Sequence, residues 1–156
     1  MAKKIMAMKQ NDLRHQLKVQ QALFDIADAA GSVKSIDSFY KKMHKIVGRL
    51  MYAKSFYVIL HDKGRGIVGE DGYFADAFGD PAPPPAPIAM YEKTPSMVIL
   101  KSGKTMHLPR LEMDALTREG VIDPIGSSAV DWVGVPLIEK GEAFGVVIIQ
   151  SYEEGV

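Results

Sequence analysis

Side chains able to carry out covalent chemistry are few in this sequence and are not spaced for catalysis. Cysteine is absent, which excludes disulfides, zinc–thiolate sites, thiol nucleophiles and thioether attachment of a chromophore. Ser127 and Ser128 do not lie in a GxSxG turn. No HExxH spacing relates the four histidines, which are His15, His44, His61 and His107. We therefore expect neither an enzyme nor a metal site.

The residues suited to ligand binding fall on predicted β-strands near the end of the chain. Residues 132–138 and 144–151 are β-rich and flank a short polar connection with a glycine, which is typical of a β-hairpin. Side chains alternate between the faces of a strand, so one face of the hairpin is wholly aliphatic: Val133, Val135, Leu137, Val147 and Ile149. The other face is mixed in size and polarity: Trp132, Gly134, Pro136, Val146, Ile148 and Gln150.

A third strand, residues 55–62, repeats this division. Its apolar side carries Phe56, Val58 and Leu60, and its other side carries Tyr57, Ile59 and His61. The recurrence predicts one sheet, whose aliphatic face packs against helices and whose mixed face lines a cavity. A half-solvated mixed face, which is common in antiparallel sheets, is the alternative.

Two helices are predicted before this sheet. After a frayed start over residues 1–10, the first runs from Asn11 or Asp12 to Gly31. Its first half is polar, so Leu13 and Leu17 form either a thin seam against a second subunit or part of a solvated lead-in helix. The second helix opens at Ser35 and has the clearest amphipathic spacing in the chain.

The middle of the chain alternates short strands and short helices. Residues 67–75 form a weak, glycine-interrupted strand, and five prolines in residues 81–87 form a stiff surface loop. Helices are predicted at 95–101 and 110–119, with a brief strand at 104–108 between them. Helices followed by an interrupted meander indicate an α+β fold with an antiparallel sheet.

Composition narrows the class of protein further. The 156 residues suit one domain, and 47% hydrophobic with 24% charged residues is ordinary for a soluble globular chain. The formal net charge is zero, so no overall field favours nucleic acid or anionic lipid. Neither a signal peptide nor a run of about 18 apolar residues is present. We expect a cytoplasmic protein without membrane insertion.

Several segments together resemble GAF domains. The ending WVGVPLIEKGEAFGVVIIQSY, preceded by IGSS, is similar to the closing hairpin of that family. The opening strand SFYVILHD, the segment SMVILKSGKTMHL and the Pro-rich loop between them add to the likeness, which covers about residues 20–152. The hairpin is most similar to those reading SWLGVPL in bacterial sensor histidine kinases and diguanylate cyclases. Asp131 replaces that serine and Val133 the leucine.

The resemblance implies a GAF-like, PAS-related antiparallel sheet of about five to six strands. Amphipathic helices would cover one face, and short helices and loops would cover a pocket on the other. Residues 1–19 would be a helical lead-in and residues 20–156 the sensor domain, with the C-terminal signalling helix and the effector domain lying outside this sequence. The implied role is that of a regulatory domain in a two-component or cyclase signalling protein.

The resemblance leaves the ligand open. The related free methionine sulfoxide reductases need cysteines, which this chain lacks, and the NKFDE set of cyclic-nucleotide-binding GAF domains is not found. Non-covalent tetrapyrrole binding stays open, and His61 and His107 are the candidates for axial haem ligands. No cofactor is assigned.

Two hypotheses for function follow. The first is a small-molecule sensor whose binding wall is formed by Tyr57, Ile59, His61, Tyr73, Trp132, Gly134, Ile148 and Gln150. In it, the aromatic rings stack on the ligand, Gly134 leaves room, and His61 and Gln150 supply hydrogen bonds. The second is a ligand-free relay module that forms a homodimer through its N-terminal helix. A void opposite Trp132 favours the first hypothesis, and an indole collapsed against Tyr57 and Met106 favours the second.

Overall fold

The computed structural model describes the backbone of residues 2–156 and the side chains from residue 5 onward. The chain forms two compact units, the first ending at Tyr52 and the second spanning Ala53–Val156. The first unit contains helix α1, Ala2–Ser32, and helix α2, Ile36–Val47. Helix α1 therefore includes most of the segment predicted to be frayed; Met1 lies outside the described residues. The absence of proline or glycine before Gly31 explains why the helix continues so far toward the N-terminus.

Several polar contacts lie near the ends of the two helices of the first unit. Ser35 caps α2, since its side-chain oxygen accepts a hydrogen bond from the backbone N–H of Ser38 at 3.2 Å. Arg49 contacts Asp25 of α1 at 3.0 Å, on the same side as the Lys42–Asp28 pair. These pairs are exposed and each adds at most about 1 kcal/mol.

The second unit is built on one antiparallel sheet. Its strands are β1 (Ser55–Asp62), β2 (Ile67–Val68), β3 (Tyr73–Ala75), β4 (Ala86–Pro87), β5 (Met106–Pro109), β6 (Asp131–Glu139) and β7 (Glu142–Ser151). The strand order is β4-β2-β1-β7-β6-β5, and β3 pairs with the first half of β1 beside β2. About five to six strands were expected. The sheet has seven, because the two-residue segments β2 and β4 also form strands.

The terminal hairpin is tighter than predicted. Glu139 pairs with Glu142, so only Lys140 and Gly141 form the turn. Both have positive φ, 51° and 84°, as a type I′ turn requires, and glycine adopts this conformation without a steric penalty. The turn fixes the register of β6 against β7, on which the faces of the sheet depend.

Two short helices cover the mixed face of this sheet. Helix α3, Pro95–Ser102, packs on β6 and β7, and helix α4, Arg110–Arg118, follows β5 directly. The buried core of the unit lies between them and the sheet and includes Tyr57, Met97, Ile99, Trp132 and Ile148. The α+β fold with an antiparallel sheet is thus confirmed.

The aliphatic face of the terminal hairpin is more exposed than its mixed face. Val135 is 43% exposed, and Val133, Leu137, Val147 and Ile149 are half-buried. Among the described residues, no helix is both long and apolar enough to cross a membrane.

Candidate functional site

A cavity of about 410 Å³ lies within the second unit, on the mixed face of the sheet. Strands β1, β6 and β7 supply its floor. Its walls come from the loop at 76–84, from the segment 91–97 that leads into α3, from α4 and from the loop at 124–129. A volume of this size is in the range of sites for small molecules.

On β1, β6 and β7, the register agrees with the side-chain alternation that was predicted. Tyr57 of β1 lies opposite Ile148 of β7, and Trp132 of β6 lies opposite Gln150. Residues directly opposite each other in an antiparallel pair share a face. Six of the eight predicted residues line the cavity: Tyr57, Ile59, Tyr73, Trp132, Ile148 and Gln150.

Tyr73 nevertheless points to the other face of the sheet. It pairs with Val58, and its ring centroid lies 6.1 Å from that of Phe56. The neighbouring Phe74 occupies the place expected for Tyr73, stacked on Tyr57 at 4.1 Å between centroids. The face predicted for Tyr73 is that of its neighbour Phe74, because residues 67–75 form two short strands with an irregular connection instead of one continuous strand.

His61 and Gly134 do not line the cavity. His61 is half-buried at the end of β1, opposite Val68. A Cβ on Gly134 would lie 2.5 Å from Cη2 of Trp132 and would overlap with Cδ1 of Ile99. The room left by this glycine is therefore filled by the indole and by α3, and the glycine has a packing role instead of the predicted ligand contact.

The second candidate axial haem ligand, His107, is also outside the cavity. Its Nε2 atom lies 2.7 Å from Oδ1 of Asp131 in an exposed pair. No cluster of three or more potential metal ligands occurs among the described residues.

The structure reveals a polar cluster around Asp76 that was not predicted from the sequence. Oδ2 of Asp76 accepts hydrogen bonds from the hydroxyls of Tyr57, Tyr152 (2.6 Å) and Ser55 (3.3 Å). Nε2 of Gln150 donates to both tyrosine oxygens, at 2.8 Å and 2.6 Å. The available signal was an acidic residue directly after an aromatic strand, in the segment FADAFGD.

The same carboxylate fixes the edge of the cavity. Oδ1 of Asp76 accepts hydrogen bonds from the backbone N–H groups of Phe78 (2.8 Å) and Asp80 (3.2 Å). Oδ2 of Asp80 in turn accepts from the backbone N–H of Ser127 at 3.0 Å, which joins two loops across the opening. The ring of Phe78 stacks on Tyr152 at 4.2 Å.

Ionisation of these groups follows from their contacts. Burial raises the pKa of the Asp76 carboxyl, but hydrogen bonds from Tyr152, Tyr57 and two backbone N–H groups outweigh it and lower the pKa to about 2. Burial and the hydrogen bond to Asp76 raise the pKa of Tyr152 to about 12 and that of Tyr57 well above its usual value. Asp76 is thus an anion and both tyrosines are neutral near pH 7.

Similarity to known proteins is found in the three-dimensional structure. No family model matches the chain, and no curated protein matches it. The GAF domain of a phosphoenolpyruvate-protein phosphotransferase from Coxiella burnetii is 12% identical, with 88% of this chain and 79% of that chain covered and a TM-score of 0.65. Its counterpart from Acinetobacter is 12% identical, with 88% and 78% covered and a TM-score of 0.64.

A third match is an enzyme. The free methionine-R-sulfoxide reductase from Neisseria meningitidis, solved in complex with its substrate, is 13% identical to this chain. The match covers 90% of this chain and 76% of that chain with a TM-score of 0.62. At such identities the likeness establishes a shared fold.

Proposed function

Because the chain has the fold of GAF domains, we propose that it is a regulatory domain that senses a small molecule in a bacterial signal-transduction protein. The observation that carries this proposal is the cavity on the mixed sheet face, with an apolar wall at one end and the Asp76 cluster at the other. Trp132 and Tyr57 both line this cavity, and the indole packs beside Gly134 and Ile99 of α3.

Binding regulates an output only when the ligand prefers one conformation of the protein. The loop at 76–84 is suited to this because it borders the cavity and is joined to Tyr152, directly after β7. The output that we propose is a kinase or cyclase activity, and the domain itself acts in the cytoplasm without catalytic activity. Kinase and diguanylate cyclase assays of the intact gene product, with and without the bound compound, test the first of these statements.

Mass spectrometry of small molecules released from the natively purified protein tests the sensing role. Thr117 lines the cavity from α4, so Thr117→Phe fills part of the space, whereas Thr105→Phe makes the same change at an exposed position outside it. We expect a compound that the wild type and Thr105→Phe release and Thr117→Phe does not. A clean preparation of the wild type, with no visible absorption, would contradict sensing and favour the relay.

One observation favours the relay module as a second candidate. On α1, Leu13, Leu17 and Phe24 are 56%, 55% and 69% exposed. Their spacing of i, i+4 and i+11 places them on one face of the helix, together with the exposed Met6. Such a stripe fits pairing with a second copy of the helix, and the two candidates are compatible in one molecule.

A further inference from the structure

The charged side chains around the cavity are mostly acidic. Asp76, Asp80 and Asp114 line it, and Arg110 is the only basic residue of the wall among the residues that the structure describes. Nη1 of Arg110 donates to the backbone oxygens of Ser128 (3.2 Å) and Ala129 (3.3 Å). Nε of Arg110 lies 3.4 Å from a carboxylate oxygen of Asp114. The cavity therefore carries a net negative charge, which disfavours anionic ligands.

The hydrogen atoms of the Asp76 cluster can be assigned one by one. Because Asp76 is ionised, it has no proton to donate, so Tyr57 and Tyr152 must each donate to it. Both tyrosine oxygens can then only accept, which requires Gln150 to turn its NH₂ group toward them. Every N–H and O–H hydrogen of these three side chains is used within the cluster. The amide oxygen of Gln150 accepts no hydrogen bond from the described residues.

The hydroxyls at the roof of the cavity are committed in the same way. Thr94 donates to the backbone oxygen of Tyr91 at 2.8 Å, so Ser96, 3.2 Å away, must donate to Thr94. Thr117 donates to the backbone oxygen of Met113 at 2.7 Å. Tyr91 donates to the backbone oxygen of Pro84, again at 2.7 Å. These groups have no hydrogen left for a ligand.

Besides the amide oxygen of Gln150, the wall keeps hydrogen-bonding capacity at Asp80 and Trp132, and the exposed hydroxyls of Ser127 and Ser128 add to it at the rim. Asp80 is half-buried, and its Oδ2 is held by Ser127, whereas its Oδ1 has no donor among the described residues. Trp132 is only 6% exposed, and its indole N–H has no acceptor among them. The cavity thus presents acceptors at its acidic end and one N–H donor in its apolar wall.

From this pattern, and resting on the proposed function, we infer that the ligand is a compact molecule with a protonated amine and an apolar or aromatic body. The ammonium group donates to Oδ1 of Asp80, an open carboxylate oxygen at the cavity edge, and the amide oxygen of Gln150 is a further open acceptor of the wall. The body of the ligand lies against Trp132, Met97 and Ile148. A phosphate or carboxylate meets a net negative charge there, and Arg110, the one basic side chain of the described wall, is already held by two backbone oxygens and by Asp114.

Matched probes test the class of ligand. 2-Phenylethylamine, 2-phenylethanol and phenylacetate share one ring and differ in charge at neutral pH. Trp132 is the single tryptophan of the chain and lies in the cavity wall, so its emission reports binding, with calorimetry as a second measurement. We expect the amine to bind at least about tenfold more tightly than the other two probes, equivalent to ~1.4 kcal/mol.

Asp80→Asn tests the anchor, and Asp123→Asn is its control because Asp123 has the same charge and lies outside the cavity wall. We expect Asp80→Asn to weaken amine binding about tenfold without changing the binding of 2-phenylethanol, and Asp123→Asn to change neither. Asp114→Asn replaces Asp80→Asn if that variant does not fold, with a smaller loss expected because Asp114 is paired with Arg110.

Each other outcome overturns the inference. Tighter binding of phenylacetate or 2-phenylethanol would refute the amine and leave the sensor role standing. Equal affinities of Asp80→Asn and Asp123→Asn would refute the anchor. No response to the amine at millimolar concentration also refutes the inference, and only a clean mass spectrum of the wild type would then remove the sensor role as well.

Discussion

Replacing Asp76 with asparagine isolates the contribution of one carboxylate to the second unit. Asp76 accepts five hydrogen bonds, three at Oδ2 and two at Oδ1. Asparagine has only one accepting oxygen, so either the hydroxyl donors or the two backbone N–H groups lose their partner. A hydrogen bond to a charged group contributes about 1.5–3 kcal/mol. Hydroxyls that rotate toward water recover part of this, so we expect a loss of about 2–3 kcal/mol.

Urea unfolding followed by Trp132 fluorescence measures this loss, because Trp132 is the single tryptophan and belongs to the buried core of the second unit. The control is Asp71→Asn, an exposed position with a φ of 56° that asparagine tolerates. We expect the control to stay within about 0.5 kcal/mol of the wild type. If Asp76→Asn does the same, the cluster does not hold the loop to the sheet and our account of the cavity edge is wrong.

Three further predictions concern pH, packing and assembly. The pKa of Asp76 is lowered from 3.8 to about 2, so its contribution is complete above about pH 5 and lost as the pH falls toward 2. After allowing for solvent screening, this contribution amounts to about 1 kcal/mol. The unfolding free energy, measured as a function of pH between about 5 and 2, should fall less in Asp76→Asn than in the wild type. The same fall in both proteins would contradict the prediction. Gly134→Ala forces a methyl group into Trp132 and Ile99, so we expect a loss of about 1–3 kcal/mol in the same urea assay. Gly64→Ala, in the same unit and with only the flexible Oδ1 atom of Asp62 near its Cβ at 3.3 Å, is its control, and equal stability of the two variants would show that the Gly134 site relaxes freely. Leu17→Glu places a charge in the exposed stripe of α1, so sedimentation should show dissociation of a dimer that Lys18→Glu preserves; a wild type that is monomeric at high concentration would rule out this contact.

Much of the sheet was predictable because its strands have strict alternation. In the hairpin, Trp132 and Gln150 differ so clearly from Val133 and Ile149 that only one assignment of faces is consistent. A tight turn of two residues then holds that register. The helices were predictable in kind, although α1 extends to Ala2 because the start of the chain contains neither proline nor glycine.

The cavity edge was not predictable, because it depends on contacts between residues far apart in sequence. Asp76 and Tyr152 are 76 positions apart, and nothing local to either shows that they meet. Tyr73 was placed on the wrong face because its strand is only three residues long and gives no usable period. The role of Gly134 was misread because a missing side chain leaves space that either a ligand or a neighbouring residue can take, and here Trp132 takes it.

The position of Tyr152 has a mechanical consequence. It is the first residue beyond β7, and it is tied to Asp76 by a hydrogen bond and to Phe78 by ring stacking. The path along which the polypeptide leaves the domain is therefore anchored to the rim of the cavity and not to the sheet alone. A movement of the rim would therefore act on the segment after β7 through these two contacts, with the pairing of the strands unchanged.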